Sequence, residues 1–155
     1  MISVLDYGIG NAKSVIRMIE KVGGTAKTVS SPGEVLAAEK LILPGVGAFD
    51  HGIEQLQVQN LAEPLHYIAK ESKTPILGIC LGMQIMCKHS EEGKLDGFGW
   101  IDAEVTHFGL ERGEGLPVPH MGWNNIHIKQ QSELFNNDEQ RFYFVHSYWV
   151  KCNNT

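Results

Sequence analysis

The segment Pro75-Ile76-Leu77-Gly78-Ile79-Cys80-Leu81-Gly82-Met83-Gln84 decides the fold. Its first apolar residues predict a buried strand, and the apolar spacing after the cysteine predicts a helix that ends near His89. A cysteine between Gly78 and Gly82 at this junction is typical of a nucleophile elbow, a sharp turn that lifts one side chain clear of the sheet. The glycines are expected where neighbouring backbone comes too close for a Cβ. An isolated cysteine is more often a buried structural residue, but this setting favours a nucleophile.

The elbow also predicts a chemical environment for Cys80. The thiol would lie at a helix N-terminus, where the macrodipole favours the thiolate. Free backbone N–H groups in the same turn are available to bind a developing oxyanion. The turn therefore predicts an acyl-transfer site with a thiol nucleophile.

Composition limits the classes of function. The chain of 155 residues has the length of one domain, and its net charge of −5 gives no basic surface for nucleic acid. No apolar run is long enough to span a membrane, and residues 1–6 carry no signal-peptide pattern. Three cysteines without a C-x-x-C pair indicate neither a zinc site nor a disulfide framework. The Gly8 and Gly10 pair lacks the third glycine of a dinucleotide fingerprint, because Lys13 occupies that position. These features fit a cytoplasmic protein.

Strands and helices are predicted to alternate through the first 90 residues. Asn11 is expected to cap the first helix, and residues 50–72 are expected to form two helices that separate near Asn60. The alternation predicts an α/β fold with a mainly parallel open sheet, covered by helices on both faces. From Gly93 onward the pattern changes to a β-rich part with short strands. The predicted strands are Ile2–Asp6, Thr25–Val29, Lys40–Leu43, Trp100–Phe108, Asn125–Lys129 and Arg141–Val150.

A glycine-containing loop follows the third predicted strand. The segment Pro44-Gly45-Val46-Gly47-Ala48-Phe49 presents backbone N–H groups directly after Leu43. Ligands bind at the carboxyl ends of the strands in open α/β sheets. This loop and Cys80 are therefore expected at the same edge, although the loop alone is equally well explained as a plain tight turn.

Five segments, in the order of a known family, extend from one end of the sequence to the other. They resemble the class I glutamine amidotransferases, and more closely the glutaminase subunits of imidazole glycerol phosphate synthase. The segments are Asp6-Tyr7-Gly8-Ile9-Gly10-Asn11, Leu43-Pro44-Gly45-Val46-Gly47-Ala48-Phe49, Gly78-Ile79-Cys80-Leu81-Gly82-Met83-Gln84, Pro119-His120-Met121-Gly122-Trp123-Asn124 and Tyr143-Phe144-Val145-His146-Ser147-Tyr148.

The resemblance implies a fold, an activity and the residues that perform it. The fold is flavodoxin-like, with residues 1–155 as a single glutamine amidotransferase domain that lacks the family's last strands and helix. Cys80 is the implied nucleophile toward the glutamine carboxamide, and no metal or other cofactor is implied. For Glu92 the alternative is a solvated residue in a charged run. The implied oxyanion hole comprises Val46, Gly47 and Leu81, and the implied substrate contacts are Gly45, Gln84, Glu92, His146, Ser147 and Tyr148.

The resemblance also implies a partner. Ammonia would pass to a barrel-type synthase/cyclase subunit, bound as a heterodimer, that makes imidazole glycerol phosphate and AICAR in histidine biosynthesis. The alternatives are a paralogue for surface-sugar amidation and an inactive subunit that only binds its partner. For Trp123 the alternative is a core position, since tryptophan is highly buried on average. The implied partner-facing residues are Tyr7, Asn11, Lys13, His120, Met121, Trp123 and Asn124.

The sequence departs from the family in one respect. The family takes its catalytic histidine and acidic residue from a His-Pro-Glu segment, and this sequence contains none. Three interpretations remain open: a chain truncated at its C-terminus, a subunit that has lost its triad, or a site in which His146 is the base. Truncation is favoured, because the sequence stops just beyond an apolar strand where the family chain continues.

Overall fold

The structure is a computed structural model that describes residues 1–109, 117–130, 132, 134–135 and 141–153. Within these residues the chain divides into two compact units, Met1–Thr106 with Val150–Thr155, and His107–Trp149. None of the helices in the described part is long and apolar enough to cross a membrane. The elements are β1 (Ile2–Leu5), α1 (Ala12–Lys21), β2 (Ala26–Val29), α2 (Pro32–Leu36), β3 (Leu41–Gly45), α3 (Phe49–Val58), α4 (Ala62–Lys70), β4 (Ile76–Cys80), α5 (Leu81–Ile85), β5 (His89–Ser90), β6 (Ala103–His107), β7 (His120–Asn125), β8 (Arg141–His146) and β9 (Tyr148–Cys152).

Four parallel strands form the main sheet of the first unit, in the order β2-β1-β3-β4. In the register of β3 and β4, Leu41 lies opposite Ile76 and Gly45 lies opposite Cys80. The strand order reverses direction between β1 and β3, the kind of switch point at which open α/β sheets bind ligands. The parallel α/β sheet predicted from the sequence is confirmed.

Helices cover both faces of this sheet. On one face Val4 and Ile42 pack with Val15 and Ile16 of α1. On the other face the largest buried cluster joins the sheet to α3, α4 and α5. Adjacent residues of a strand point to opposite faces, so the apolar runs of β1 and β3 supply both clusters. The side chains of the larger cluster include Leu5, Leu41, Leu43, Phe49, Ile53, Leu56, Leu65, Ile68, Leu81 and Ile85.

The elbow helix is shorter than predicted. We expected it to end near His89, but α5 ends at Ile85. The Phe98 N–H donates to the Ile85 carbonyl, and the Trp100 N–H donates to the Met86 carbonyl, each at 2.8 to 2.9 Å. These carbonyls pair with a later segment of the chain, so the backbone leaves the helix and forms β5 instead of another turn.

Strand β4 was predicted to be buried, and this prediction is wrong for part of it. Leu77 is 41% exposed and Ile79 is 40% exposed. Among the described residues β4 is an outer strand of the main sheet, with only β3 beside it. The apolar pattern indicated the strand but not its position in the sheet.

The β-rich character of the later part is confirmed, with changed bounds. A small sheet has the order β5-β6-β9, and in the second unit β7 pairs antiparallel with β8. The strand predicted at Asn125–Lys129 lies earlier, at His120–Asn125. The predicted strand Arg141–Val150 is two strands, because the chain bends at Ser147 between β8 and β9.

Candidate active site

Cys80 has the backbone conformation of an elbow. It is the last residue of β4 and the residue before α5, with φ +55° and ψ −116°. Positive φ is uncommon for a residue with a Cβ and is typical of constrained functional turns. The side chain of Cys80 is exposed. The predicted sharp strand-to-helix turn is present.

The two glycines of the motif are required by close backbone contacts. A Cβ on Gly78 would stand 2.5 Å from the Cα of Met83, and a Cβ on Gly82 would overlap the carbonyl oxygen of Leu43. Both neighbouring atoms belong to the backbone and not to the end of a flexible side chain, so moving either of them would cost free energy of folding. The expectation that backbone approaches too closely for a Cβ is confirmed at both positions.

The segment that we call the oxyanion loop, Val46 to Ala48, begins beside the elbow. Gly45, expected in this loop, is instead the buried last residue of β3. A Cβ on Gly45 would stand 2.9 Å from both the Gly82 nitrogen and the Leu81 Cβ, so the start of the loop packs on the first turn of α5. Gly47 has φ +94°. Among the described residues, the N–H groups of Val46 and Gly47 find no hydrogen-bond acceptor.

The predicted helix dipole is weaker than expected, because α5 has only 5 residues. Fewer aligned peptide units give a smaller dipole at the N-terminus. The first N–H groups of any helix nevertheless lack an intrahelical acceptor. Leu81 lies in this first turn, so the local donors remain while the long-range field is reduced.

The three cysteines differ in exposure. Cys80 and Cys152 are exposed, whereas Cys87 is buried. Burial, with a smaller contribution from the neighbouring Cys152, raises the pKa of Cys87 to about 11. Cys87 is therefore a neutral core thiol, and Cys80 alone lies on an elbow.

Tyr7 does not face a partner, which corrects the interpretation of its motif. Its side chain is 0% exposed, and its hydroxyl donates to the Pro44 carbonyl at 2.9 Å. Its own carbonyl accepts from Gln59 Nε2 at 2.8 Å. Burial raises the pKa of the Tyr7 phenol, and the charge of Cys80 raises it further. The phenol therefore stays protonated beneath the start of the oxyanion loop, where it serves as a donor.

Besides Gly45, two candidate substrate contacts lie in the first unit. Gln84, on α5, is only 9% exposed. Glu92 is exposed, but one of its carboxylate oxygens accepts the Phe49 N–H at 3.0 Å. Glu92 is thus solvated, as the alternative interpretation held, and also anchored to the first residue of α3.

Asp50, a residue not predicted from the sequence, secures the loop that carries Glu92. Its carboxylate accepts the Lys94 N–H at 2.9 Å and the Leu95 N–H at 3.0 Å. These backbone bonds, that of Leu95 first, lower the pKa of Asp50. A Cβ on Gly93 would overlap the Asp50 carboxylate. An acidic residue in the first turn of a helix, together with a distant glycine in a charged loop, is a weak signal for such a contact.

In the second unit His146 is fixed by hydrogen bonds at both ring nitrogens. Its Nδ1 lies 2.7 Å from the Tyr148 carbonyl oxygen, so this nitrogen carries the proton. Its Nε2 lies 3.0 Å from Nδ1 of His120, whose Nε2 in turn lies 2.7 Å from the Asn124 amide nitrogen. With Nδ1 protonated, Nε2 of His146 is the acceptor of the bond to His120. Nearby, the Ser147 carbonyl accepts the Phe108 N–H at 3.0 Å.

The predicted partner residues of β7 divide between two faces. Met121 is 60% and Trp123 is 59% exposed, which excludes the core alternative for Trp123 in this chain. His120 and Asn124, one position away, bond to each other on the opposite face. A partner that covers Met121 and Trp123 therefore does not reach His120 and Asn124 from the same side. In the first unit, Asn11 and Lys13 are both exposed.

Comparison with known proteins gives the family. Residues 3–155 match the family described as glutamine amidotransferase class-I. The chain is 44% identical over 154 residues to the imidazole glycerol phosphate synthase subunit HisH 2 of Methanococcus maripaludis, covering 98% of this chain and 75% of that protein. The subunit of the same name from Pseudomonas aeruginosa is 44% identical over 152 residues, with 97% and 74% covered. A crystal structure of a glutamine amidotransferase has a TM-score of 0.77 at 14% identity, over 99% of this chain and 75% of that one. The chain belongs to the class I glutamine amidotransferase family.

Proposed function

We propose that this chain hydrolyses glutamine to glutamate and ammonia as the glutaminase subunit of an imidazole glycerol phosphate synthase, in histidine biosynthesis. The observation that carries the proposal is the strained, exposed Cys80 at an elbow beside the oxyanion loop. Relatives named as subunits of that synthase, at 44% identity, support the choice of pathway. We propose that residues 1–155 act as one glutamine amidotransferase domain in the cytoplasm, where exposed thiols stay reduced.

The chemistry follows from the positions of the residues. The Cys80 thiolate forms a C–S bond to the carboxamide carbon, and the carbonyl π electrons move to oxygen. The N–H groups of Val46, Gly47 and Leu81 hold this oxyanion, and one such donor is typically worth about 2.7–4 kcal/mol. The oxyanion electrons re-form the C=O bond as the C–N bond breaks, and the nitrogen takes a proton from solvent water and leaves as ammonia, so that a thioester remains. Water attacks the thioester carbon and releases glutamate and the thiol.

Substrate orientation is assigned to polar groups around the elbow. We propose that the side-chain amide of Gln84 and the carboxylate of Glu92 bind the substrate, with Glu92 facing the α-ammonium group. Gly45, whose missing side chain makes room for Tyr7, Leu81 and Gly82, is proposed to contact the substrate through its backbone. His146, Ser147 and Tyr148 are proposed to contribute contacts along the glutamine pocket. We propose no role for His146 as the base, and assign it to substrate contact instead.

The partner is proposed to be a barrel-type synthase/cyclase subunit bound as a heterodimer. Met121 and Trp123 lie on an exposed apolar face of β7 and β8, together with Tyr143 and Val145. Four large apolar side chains on one face form a patch of the kind that marks protein contacts. We propose that this face binds the synthase, and, as a separate proposal for the first unit, that Asn11 and Lys13 are partner contacts.

To test this proposal, the protein and its synthase partner are given glutamine labelled with ¹⁵N at the amide, and the ¹⁵N content of the synthase product is measured. Under the proposal, ¹⁵N appears in the synthase product, and unlabelled ammonium in excess reduces this labelling. Incorporation of free ¹⁵N-ammonium without any from glutamine would identify a subunit that only binds its partner. Transfer of the label to a sugar acceptor and not to the imidazole product would favour surface-sugar amidation instead.

A further inference from the structure

Two segments more than 40 residues apart exchange carboxylate-to-backbone hydrogen bonds. Glu92 Oε2 accepts the Phe49 N–H at 3.0 Å, and the Asp50 carboxylate accepts the N–H groups of Lys94 and Leu95 at 2.9 and 3.0 Å. We call this reciprocal pair the clasp. Asp50 directly follows Phe49, whose N–H donates to Glu92, and Glu92 lies two residues before Lys94, whose N–H donates to Asp50. The clasp therefore fixes the loop from Glu92 to Leu95 against the first turn of α3.

The clasp leaves half of one carboxylate available. Glu92 uses Oε2 for Phe49, while Oε1 accepts no hydrogen bond within the described part of the chain. The residue is exposed, so Oε1 is open to a cation. Asp50, in contrast, uses both oxygens on Lys94, at 2.9 Å each. The two carboxylates have different roles: Asp50 is saturated with backbone donors, and Glu92 retains an open oxygen.

We propose that Asp50 is a positioning residue that sets glutamine affinity by holding the Glu92 carboxylate where it meets the substrate's α-ammonium group. The inference rests on the proposed function, in which Glu92 binds that group. Asp50 itself touches neither substrate nor reacting atoms. Its effect is to order the loop that carries Glu92 before the substrate arrives.

The size of the effect follows from the cost of ordering a flexible side chain. Immobilising a side chain with many rotamers costs about 0.5–1.5 kcal/mol on binding, which corresponds to about 2- to 10-fold in affinity. With the clasp, this cost is met when the chain folds. Without it, the substrate must order Glu92 and the loop from Gly93 to Leu95. Loss of Asp50 is therefore expected to weaken glutamine binding by about 2- to 10-fold.

The position of the clasp predicts which substrates are affected. Glutaramate is glutamine without the α-amino group, and it has no ammonium for Glu92 to bind. Its binding should not depend on Asp50. A merely structural disturbance of α3 or of the adjacent oxyanion loop would weaken both compounds equally. The ratio of the two affinities therefore separates positioning of Glu92 from general damage.

The experiment measures protection of Cys80 from iodoacetamide, followed by mass spectrometry of the Cys80 peptide, so that no turnover is needed. The variants are Asp50→Ala, Asp50→Asn and Glu92→Gln, each in complex with the synthase partner. Glu34→Ala is the matched control. Glu34 also accepts two backbone N–H groups, those of Ser30 and Ser31 at 3.0 Å, but on α2. Glutamine and glutaramate are titrated against each variant.

Under the proposal, Asp50→Ala raises the glutamine dissociation constant about 2- to 10-fold and leaves that of glutaramate unchanged. Asp50→Asn, which keeps one acceptor oxygen, restores part of the affinity, and Glu34→Ala changes neither constant. Equal weakening of both compounds by Asp50→Ala, or no weakening, overturns the inference. If Glu92→Gln leaves glutamine binding unchanged, the assigned role of Glu92 fails instead. If glutamine fails to protect even the unchanged protein, the proposed function fails.

Discussion

Gly45 and Cys80 lie directly opposite each other in the register of the parallel strands β3 and β4. The nucleophile and the start of the oxyanion loop therefore leave the sheet at the same level. A Cβ on Gly45 would stand 2.8 Å from the Tyr7 hydroxyl and 2.9 Å from the Gly82 nitrogen. The Leu81 Cβ would also stand 2.9 Å from the added Cβ, so the alignment depends on three groups that meet at Gly45 and predicts where substitutions disturb the site.

We expect Gly82→Ala to destabilise the fold. Its Cβ would overlap the Leu43 carbonyl oxygen, which belongs to the central strand β3 and cannot move freely. Overpacking of this kind costs about 1–3 kcal/mol of unfolding free energy. Gly33→Ala on α2 is the control, because a Cβ there meets nothing within 4 Å, and it should stabilise by about 0.4–1 kcal/mol. Urea unfolding measures the free energy of unfolding of both variants. Equal stability of the two would contradict the packing argument.

We expect Tyr7→Phe to lower both stability and glutaminase rate. It removes the donor to the Pro44 carbonyl and leaves a buried acceptor unpaired, at a cost of about 1–3 kcal/mol. The adjacent oxyanion loop loses an anchor, so kcat for glutamine is expected to fall about 10-fold. Tyr67→Phe is the control, since Tyr67 is 55% exposed. Thermal unfolding and steady-state kinetics give the two readouts, and an unchanged kcat for Tyr7→Phe would exclude a role in the loop.

The clasp predicts a dependence of stability on acid pH. Backbone hydrogen bonds from Leu95 and Lys94 hold the folded pKa of Asp50 below its ordinary value of 3.8. A carboxylate with a lowered folded pKa contributes stability that is present above its unfolded pKa. This stability is lost as the pH falls through the folded pKa. Asp50→Asn should therefore show a smaller loss of stability between pH 7 and pH 3 than the unchanged protein.

The check is the urea midpoint measured across that pH range. Glu34→Gln should also flatten the profile, because hydrogen bonds from Ser30 and Ser31 lower the pKa of Glu34. If Asp50→Asn follows the profile of the unchanged protein, the Asp50 hydrogen bonds do not contribute in solution.

The exposed face of β7 predicts weakened association with the synthase for Trp123→Ala. Trp123 is 59% exposed and packs edge-on against the Tyr143 ring, with 5.7 Å between the two ring centroids. Central aromatic residues of interfaces typically contribute 2 kcal/mol or more, so the dissociation constant should rise at least about 30-fold. Tyr67→Ala removes an exposed aromatic side chain on α4, which is not part of this face, and should leave the dissociation constant unchanged. Isothermal titration calorimetry with the purified synthase subunit measures the dissociation constant of each variant. Equal affinities for the two variants would move the interface away from this face.

The elbow could be predicted from the sequence because its constraint is local. Gly78 and Gly82 bracket Cys80 within five residues, and the steric reason for each lies in the same turn and the strand beside it. The parallel sheet was predictable for a similar reason, since the alternation of strands and helices sets its connections. Contacts between distant residues were not predictable in this way.

Tertiary contacts account for what the sequence did not reveal. The burial of Tyr7 depends on Pro44, 37 positions away, and the clasp joins positions 43 to 45 apart. The early end of α5 depends on hydrogen bonds from Phe98 and Trp100. None of these pairings leaves a periodic pattern in the local sequence. The hydrogen bonds of His146 likewise became visible only once β7 and β8 were paired.

The central claim is that Cys80 is the nucleophile, and its most direct test is the rate of glutamine hydrolysis by the Cys80→Ala complex. Cys152→Ala, which removes the other exposed thiol, is the control. We predict that Cys80→Ala removes glutamine hydrolysis above the uncatalysed rate, because neither of the other two cysteines, Cys87 and Cys152, lies on an elbow. We also predict that it leaves the synthase able to use added ammonia, and that Cys152→Ala hydrolyses glutamine normally. Glutamine hydrolysis by Cys80→Ala at a rate close to that of the unchanged complex would contradict the assignment.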